Sequence, residues 1–237
     1  MELRIHKYLS ECGVLSRRAA EQAIKDGRVK INGRKAEIGA KIFPGRDHVT
    51  YNGVPVRRQG GGKDYFLLNK PLGVVTTMSD EHDRPCVGEI IKKIGASVYP
   101  VGRLDMYTEG LLILTNDGDV ANKLMHPSAR VPKVYHLRIR GEASAELLER
   151  LRAPIEIDGK KTTSADVALI SADEKCTKLR VSICEGRNRQ VRKMCEEAGA
   201  ELLRLKRISI GELNIGTLKP GEWKRLTYGQ VKYLKGL

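Results

Sequence analysis

The sequence predicts an α+β protein, with a small N-terminal α/β module followed by a larger body built on a mixed, mostly antiparallel sheet. Two patterns lead to this prediction. In the body, short apolar runs typical of strands alternate with stretches in which apolar residues recur at helical spacing. Before the body, two helical patterns and two strand–turn patterns occupy about 60 residues. A run of three glycines separates the two regions.

Two helices are predicted in the module. Apolar residues between Leu3 and Leu9 approximate one helical stripe, and Gly13 ends that helix. Ser16 is a suitable N-cap for a second helix, which continues to Gly27. Arginines in the first turn of the second helix oppose the helix dipole, so they indicate an anionic partner at that end.

Two strand–turn units complete the module. Residues 29–34 and 49–54 each alternate as a strand and contain an Asn-Gly pair, which favours a tight hairpin turn. Because the glycine run is flexible and hard to pack, we place the module at residues 1–60, a Gly-rich linker at 61–63 and the body at 64–237.

The body alternates predicted strands and helices. The strands are predicted at residues 65–68, 74–77, 111–115, 134–139 and 179–183. The helices are predicted at residues 86–95, 118–125, 144–151 and 188–199. Neighbouring strands of this kind favour antiparallel pairing.

The charge of the chain favours a nucleic-acid partner. Its 237 residues carry 43 Lys and Arg against 29 Asp and Glu, a net charge of +14. Residues 1–63 hold 14 basic and 6 acidic residues, more than half of the excess. A basic surface attracts polyanions, and no apolar run approaches the roughly 20 residues of a membrane helix. We therefore expect a nucleic-acid partner and no membrane.

The N-terminus and the cysteines indicate a cytoplasmic location. The first ten residues are charged and lack the apolar stretch of a secretory signal. The five cysteines form no C-x-x-C pair, so neither a disulfide framework nor structural zinc is expected. The five histidines show no metal-ligand spacing, and no metal site is predicted. The common nucleophile-elbow, zincin, Walker and dinucleotide motifs are absent from the sequence.

Asp105 is the first candidate catalytic residue. It lies in a charged loop that leads into the apolar run Leu111–Leu114. A carboxylate at the entrance of a buried strand is partly desolvated and firmly held, which suits a nucleophile or a base when a cation keeps it ionised. The alternative interpretation of Arg103 and Asp105 is a local ion pair at the surface.

A second unusual segment begins with a glycine and a basic helical turn. Val191 and Met194 are spaced to face inward, whereas Arg189, Arg192 and Lys193 can reach other neighbours. Basic residues in an opening helical turn again indicate an anion close by. One of these cations can pair with Asp105.

The module resembles a known RNA-binding domain. The stretches R-I-H-K-Y-L and S-R-R-A-A-E-Q-A-I-K-D-G-R-V-K-I-N-G-R are similar to the domain first described in ribosomal protein S-four. The resemblance implies RNA contacts at Ser16, Arg17, Arg18, Lys25, Arg28, Lys30 and Arg34. The alternative is a charged face that is only solvated.

The body resembles the ribosomal RNA pseudouridine synthases of the RsuA/RluB-like group. The similar stretches, in chain order, are N-K-P-L-G-V-V, G-R-L-D-M-Y-T-E-G-L-L-I-L-T-N-D-G, K-V-Y-H-L and E-G-R-N-R-Q-V-R-K-M-C-E-E-A-G. The resemblance implies that a uridine in RNA has its glycosidic bond broken, that the uracil turns, and that it rejoins the ribose through carbon 5. It also implies that no cofactor or metal takes part.

The resemblance assigns roles to individual residues. Asp105 matches the essential aspartate, which attacks either the ribose or the base. Tyr135 matches the tyrosine that stacks on the uracil and accepts a proton, and Arg192 matches the partner of the aspartate. Further RNA contacts are implied at Arg103, which assists base extrusion, and at Arg187, Arg189 and Lys193. The chain departs from the family pattern at Met106, Tyr107 and Glu109.

The expected partner is ribosomal RNA or a pre-ribosomal particle, with large-subunit rRNA favoured, and the protein is expected to act as a monomer. Two rival functions stay open. One is a non-catalytic RNA-binding or ribosome-assembly factor that retains the fold. The other is a glycosidase-like hydrolase with Asp105 and Glu109 as paired carboxylates, which Gly110 and the apolar strand make unfavourable because they disrupt a helix there.

Overall fold

The computed structural model describes residues 2–58 and 62–237 of the chain. These residues form two compact units, Met1–Gly62 and Lys63–Leu237. Gly60 and Gly61, two of the three glycines between the predicted module and the predicted body, lie outside the described residues. No helix in the described ranges is long and apolar enough to cross a bilayer.

The first unit packs two helices against short strands. The helices are α1 (Ile5–Glu11) and α2 (Arg17–Lys25). The strands are β1 (Leu3–Arg4), β2 (Val29–Ile31), β3 (Arg34–Lys35), β4 (Lys41–Ile42), β5 (Val49–Tyr51) and β6 (Val54–Pro55). Strands β3, β2, β5 and β6 form one antiparallel sheet in that order, and β1 pairs with β4.

The helix ends in this unit test two predictions. Ser16 is the N-cap of α2, and its side chain accepts a hydrogen bond from the Ala19 amide at 3.2 Å, which confirms the predicted cap. The predicted helical stripe from Leu3 is wrong at its start. Leu3 and Arg4 are extended because they pair with β4, and helix α1 begins only at Ile5.

The second unit is built on one mixed sheet. Its strands are β7 (Tyr65–Lys70), β8 (Tyr99–Val101), β9 (Glu109–Thr115), β10 (Lys133–Arg140), β13 (Asp166–Ala172), β14 (Cys176–Ile183), β15 (Leu202–Ile210), β16 (Leu213–Asn214) and β17 (Trp223–Arg225). The main order is β13-β14-β10-β15-β9-β7-β17, with β16 beside β15 and β8 beside β9. Among these strands, β15 and β9 pair in parallel and the other pairs are antiparallel.

Helices and one hairpin complete the second unit. The helices are α3 (Val87–Ile94), α4 (Gly118–Met125), α5 (Ala145–Arg152), α6 (Gln190–Ala198) and α7 (Tyr228–Gly236), and the hairpin consists of β11 (Glu156–Ile157) and β12 (Lys160–Lys161). The four predicted helices are thus confirmed as α3 to α6. The predicted strand at 74–77 is wrong: Val75 forms a single bridge with Cys86, and the segment is otherwise turn and bend.

The sheet is covered unequally by the helices. Helices α5 and α6 pack on β10, β14 and β15, and α3 packs on the same face of β7 and β9. Helices α4 and α7 cover the opposite face of β7 and β9. The back of β10 and β14 carries alternate exposed or half-buried residues instead. One half of the sheet is therefore enclosed and the other half is open on one face.

Gly88 in α3 is predicted to be required for packing. A Cβ there would lie 1.9 Å from the carbonyl oxygen of Met78, so Gly88→Ala should lower the free energy of unfolding by about 1–3 kcal/mol in urea denaturation. Gly229 in α7 has no atom within 4 Å of its Cβ position. Gly229→Ala should therefore leave stability unchanged or raise it by up to about 1 kcal/mol. Equal stability of the two variants would contradict this packing.

Candidate active site

The loop of Asp105 lies between β8 and β9, and its backbone is held by hydrogen bonds to the Thr76 side chain and to the Gly73 amide. The Thr76 hydroxyl donates to the Leu104 carbonyl at 2.7 Å and accepts from the Leu104 amide at 3.2 Å. The Gly73 amide donates to the Met106 carbonyl at 2.8 Å. The residues on both sides of Asp105 are thus fixed to the 71–77 segment, while the Asp105 side chain remains 36% exposed.

Arg192 brings helix α6 to this loop. Its Nε lies 3.9 Å from Asp105 Oδ2, and its Nη2 donates to the Tyr107 carbonyl and, at 3.4 Å, to Thr108 Oγ1. The Arg192 side chain is 16% exposed. The guanidinium places a positive charge beside the carboxylate, and its hydrogen bonds limit its freedom to move away.

Helix α6 is oriented by its apolar side. Val191 and Met194 are buried, as their spacing predicts, and they pack in the cluster that also contains Tyr135 and Leu104. Residues at positions 192 and 193 then face away from this cluster. The apolar contacts of α6 therefore set the direction from which Arg192 approaches Asp105.

Tyr135 lies in β10 with its ring almost buried. It is 8% exposed and lies opposite Val181 of β14 and Arg207 of β15. Its hydroxyl makes no hydrogen bond to any residue in the described ranges. The ring shares an apolar cluster with Leu104, the neighbour of Asp105, so the phenol and the carboxylate belong to one region of the unit.

A row of four residues crosses the centre of the sheet. Tyr135 pairs with Arg207, Arg207 with Gly110, and Gly110 with Lys70, on strands β10, β15, β9 and β7. Gly110 has φ +114°, and a Cβ on it would lie 2.2 Å from the Arg207 carbonyl oxygen. A side chain at position 110 would push these strands apart, so glycine is required there.

Two buried cations lie in this row. Lys70 is fully buried and donates to the carbonyls of Pro71 at 2.9 Å and Val74 at 2.7 Å. Arg207 is 5% exposed; its Nε donates to the Leu111 carbonyl at 2.9 Å, and its buried Nη2 has no hydrogen-bond partner within the described part of the chain. The sequence pattern did not single out either residue as functional.

Electrostatics connect these cations to Asp105. Burial lowers the pKa of Lys70 to about 8; Asp105 and Glu109 oppose this shift, and Arg207 adds to it. Burial also lowers the pKa of Lys133, and the charge of Arg207 contributes. The site therefore combines one half-exposed carboxylate with several cations in a region of low solvent access.

Glu109 does not offer a second free carboxylate. It is the first residue of β9, is 3% exposed and accepts a hydrogen bond from Arg204 Nε. This hydrogen bond raises the pKa of Arg204. Because Glu109 is in a strand and paired, the geometry does not support the rival with two helical carboxylates.

The predicted RNA contacts of the first unit are mostly free cations. Arg17, Arg18, Lys25, Lys30 and Arg34 are exposed, and their side chains make no ion pair with any described residue. Arg28 differs, because it pairs with Asp26 at 2.8 Å and lies over the Tyr51 ring at 5.7 Å.

The predicted RNA contacts of the second unit divide into three groups. Arg103 is exposed and forms no hydrogen bond or ion pair with the described residues. Arg189 and Lys193 form long ion pairs, with Glu196 at 3.8 Å and with Asp158 at 3.6 Å. Arg187 is engaged internally.

Arg187 fastens the β11–β12 hairpin to the sheet. Its guanidinium donates to Glu185 and to the carbonyls of Ile157, Lys160 and Lys161. Binding of RNA by this guanidinium would have to replace these bonds. The geometry thus gives Arg187 a structural role that its sequence context did not indicate.

Comparison with known proteins identifies relatives of both units. A family model described as RNA pseudouridylate synthase matches residues 64–197, and an S4 domain model matches residues 3–49. The chain is 43% identical over 237 residues to ribosomal large subunit pseudouridine synthase B of Bacillus subtilis, covering 99% of this chain and 96% of the relative.

Two further comparisons extend over the same length. An uncharacterized RNA pseudouridine synthase of Aquifex aeolicus is 42% identical over 236 residues, covering 99% of this chain and 94% of the relative. A crystal structure of a pseudouridylate synthase is similar with a TM-score of 0.69 and 26% identity, covering 98% of this chain and 99% of the other.

The buried Lys70 predicts a pH effect on stability. Between pH 8 and 10.5 the unfolded chain holds a proton on this lysine that the folded chain has released, so folding becomes more favourable as the pH rises. Relative to Lys70→Met, the wild type should gain about 2 kcal/mol of unfolding free energy from pH 7 to 10. The exposed Lys224→Met variant should follow the wild type. If the unfolding free energies of wild type and Lys70→Met, measured in urea, changed equally with pH, the lowered pKa of Lys70 would be contradicted.

Proposed function

The chain belongs to the RNA pseudouridine synthase family, and we propose that it converts a specific uridine of large-subunit ribosomal RNA to pseudouridine with Asp105 as the nucleophile. The observation that carries this proposal is the fixed loop of Asp105 with the Arg192 guanidinium beside the carboxylate. The Bacillus subtilis relative, whose name specifies the large ribosomal subunit, supports the choice of RNA.

The reaction needs an extruded uridine. A stacked base is out of reach of Asp105, so the enzyme must swing it out at a cost of a few kcal/mol. Arg103 is exposed and unpaired among the described residues, which suits it to fill the vacated stack. The small part of the Tyr135 ring that remains exposed is the proposed contact for the extruded uracil.

Asp105 then attacks the ribose or the base, and the bond between C1′ and N1 breaks. The uracil turns, a bond forms between C1′ and C5, and the bond to Asp105 breaks so that the carboxylate is restored. The hydrogen of C5 is lost as a proton while N1 gains one. The Tyr135 hydroxyl, which has no internal hydrogen-bond partner in the described ranges, is the proposed acceptor of the C5 proton; its own proton passes to solvent, from which N1 is protonated. The product is an isomer of the substrate, so no cofactor is consumed.

The surrounding cations support this chemistry. The Arg192 guanidinium places a positive charge beside the Asp105 carboxylate, which reduces the repulsion between that carboxylate and the phosphates of a bound RNA. Lys70 and Arg207 lie in the buried row next to Tyr135 and Gly110. Their positive charge favours the negative charge that the uracil carries when its bond to C1′ breaks.

The first unit is proposed to anchor the RNA. Its exposed cations, Arg17, Arg18, Lys25, Lys30 and Arg34, suit contacts with phosphates, which position an RNA without reading its sequence. We further propose that the protein acts as a monomer in the cytoplasm on ribosomal RNA or a pre-ribosomal particle. The rival function is an assembly factor that binds RNA without catalysis, and the following experiment separates the two.

Asp105→Asn is expected to abolish pseudouridine formation while RNA affinity stays within a few fold of wild type. The variant retains the shape of the side chain but removes the nucleophile. Unmodified large- and small-subunit rRNA transcripts are incubated with each protein, and pseudouridine is mapped by carbodiimide adducts and primer extension. The matched control is Asp83→Asn, an exposed residue at φ 54° that asparagine tolerates. Full activity of Asp105→Asn, or no product from wild type on either rRNA, would refute the proposal.

Thr76→Val tests the fixation of the Asp105 loop. Loss of the hydroxyl removes both hydrogen bonds to Leu104, which should cost about 1–3 kcal/mol of stability and lower kcat about 10- to 100-fold. The KM for RNA should change little, because Thr76 is buried and both hydrogen bonds of its hydroxyl are with Leu104. Thr76→Ser retains the hydroxyl and should restore most of kcat. A Thr76→Val enzyme with wild-type kcat would show that the loop does not need this hydroxyl.

A further inference from the structure

The sheet of the second unit has a basic face that none of the helices described in this unit covers. Along β10, β14 and β15, alternate side chains are buried in the cluster under α5 and α6, and the residues between them point to the opposite face. We call this surface the open face. Its basic residues are His136, Arg138, Arg140, Lys178, Arg180, Arg204 and Lys206.

Strand register places these cations directly beside one another. His136 lies between Arg180 of β14 and Lys206 of β15, and Arg138 lies between Lys178 and Arg204. Like charges in directly opposed positions destabilise a sheet. The pKa of His136 is lowered, first by burial and then by the charges of Lys206 and Arg180, which shows how the cations act on one another.

Acidic residues compensate only part of this charge. Arg180 pairs with Asp166 at 2.8 Å, Arg140 with Glu201 at 2.6 Å, and Arg204 with Glu109. The remaining cations form no ion pair with a described residue, although Lys206 lies opposite Glu109, the partner of Arg204, in the register of β15 and β9. Lys178 and Lys206 make no hydrogen bond or ion pair with the described residues, and Arg138 donates only to Cys176 Sγ while Asp173 lies near it.

We propose that the open face binds the phosphate backbone of the RNA at a distance from the target uridine. Stability alone does not explain two rows of opposed cations, whereas a polyanion would neutralise them on binding. Phosphate binding requires only charge and reach, and this surface lacks the aromatic anchors that dominate protein interfaces. RNA is the favoured polyanion because the chain belongs to an RNA-modifying family.

The open face cannot contact the uridine that occupies the candidate active site. Tyr135 and His136 are successive residues of β10, so their side chains lie on opposite faces of the sheet. An RNA that touches both faces must extend around the edge of the sheet. We therefore expect the open face to contribute to binding of a long structured RNA and not to binding of a short stem–loop. This inference rests on the proposed function for the identity of the RNA.

The experiment removes three cations at once. The test variant is Arg138→Gln/Lys178→Gln/Lys206→Gln. The control variant is Lys219→Gln/Lys224→Gln/Lys232→Gln, which removes the same charge from exposed lysines whose side chains make no bond within the described ranges. Binding of each protein to a full-length large-subunit rRNA transcript and to a 20-nucleotide RNA stem–loop is measured at several salt concentrations.

The test variant should bind the full-length rRNA about tenfold more weakly near 0.15 M salt, and the slope of log K against log salt should fall by about 2–3 in magnitude. Binding of the stem–loop and the properties of the control variant should change less than about twofold. The unfolding free energy of the test variant should be unchanged or higher, because like-charge neighbours are removed. Charge-conserving Arg138→Lys/Lys178→Arg/Lys206→Arg should bind as wild type does.

Unchanged rRNA binding by the test variant would overturn the proposal and would favour an acidic protein as the partner of the open face. An equal loss in the control variant would overturn it too, since total charge would then explain the effect. Pseudouridine formation by wild type is scored separately. A wild type that binds through the open face but forms no pseudouridine would refute the proposed reaction and not the surface.

Discussion

The close contact of Gly110 with Arg207 joins the two halves of the sheet, and the candidate catalytic groups lie around this junction. Parallel pairing of β9 with β15 extends over only two residue pairs, Lys206 with Glu109 and Arg207 with Gly110. Asp105 precedes β9 on one side of the junction, and Tyr135 and Arg192 belong to the other side. The geometry of the site therefore depends on how closely these two backbones approach, which the missing Cβ of Gly110 permits.

The junction also explains why cations are buried there. Lys70 and Arg207 lie in line with Gly110, where the strands leave little access for water. Burying a charge is costly unless it is compensated; Lys70 donates two hydrogen bonds to carbonyl oxygens, whereas Arg207 donates one through Nε and leaves Nη2 without a described partner. Buried groups with incomplete compensation occur preferentially at functional sites, because there their charge serves a bound molecule. Arg207 fits this description beside Tyr135.

The sequence allowed prediction of the elements that depend on local pattern. Helices α3 to α6 follow from apolar spacing, and the Asp105 loop stands out because a charged segment meets an apolar strand. The residues 74–77 look like a strand, yet they form no ladder. Lys70 donates to the Val74 carbonyl, and backbone groups of Val75 and Thr77 bond to the 85–88 segment instead. The role of Arg187 and the position of Arg207 depend on strands distant in sequence. No local pattern encodes those pairings, and so they were not predictable.

Strand β10 shows how one sheet serves two purposes. Its residues at 135, 137 and 139 are apolar or aromatic and complete the core beneath the site, whereas those at 136, 138 and 140 are basic and face outward. Packing of the core requires only the residues at 135, 137 and 139. Charges of both signs would be enough to keep the outer surface soluble. The basic residues of β10 lie directly beside further basic residues on β14 and β15, although opposed like charges destabilise a sheet. An enzyme whose substrate is a large polyanion can tolerate that cost. The phosphates of the bound RNA attract these cations and neutralise their mutual repulsion.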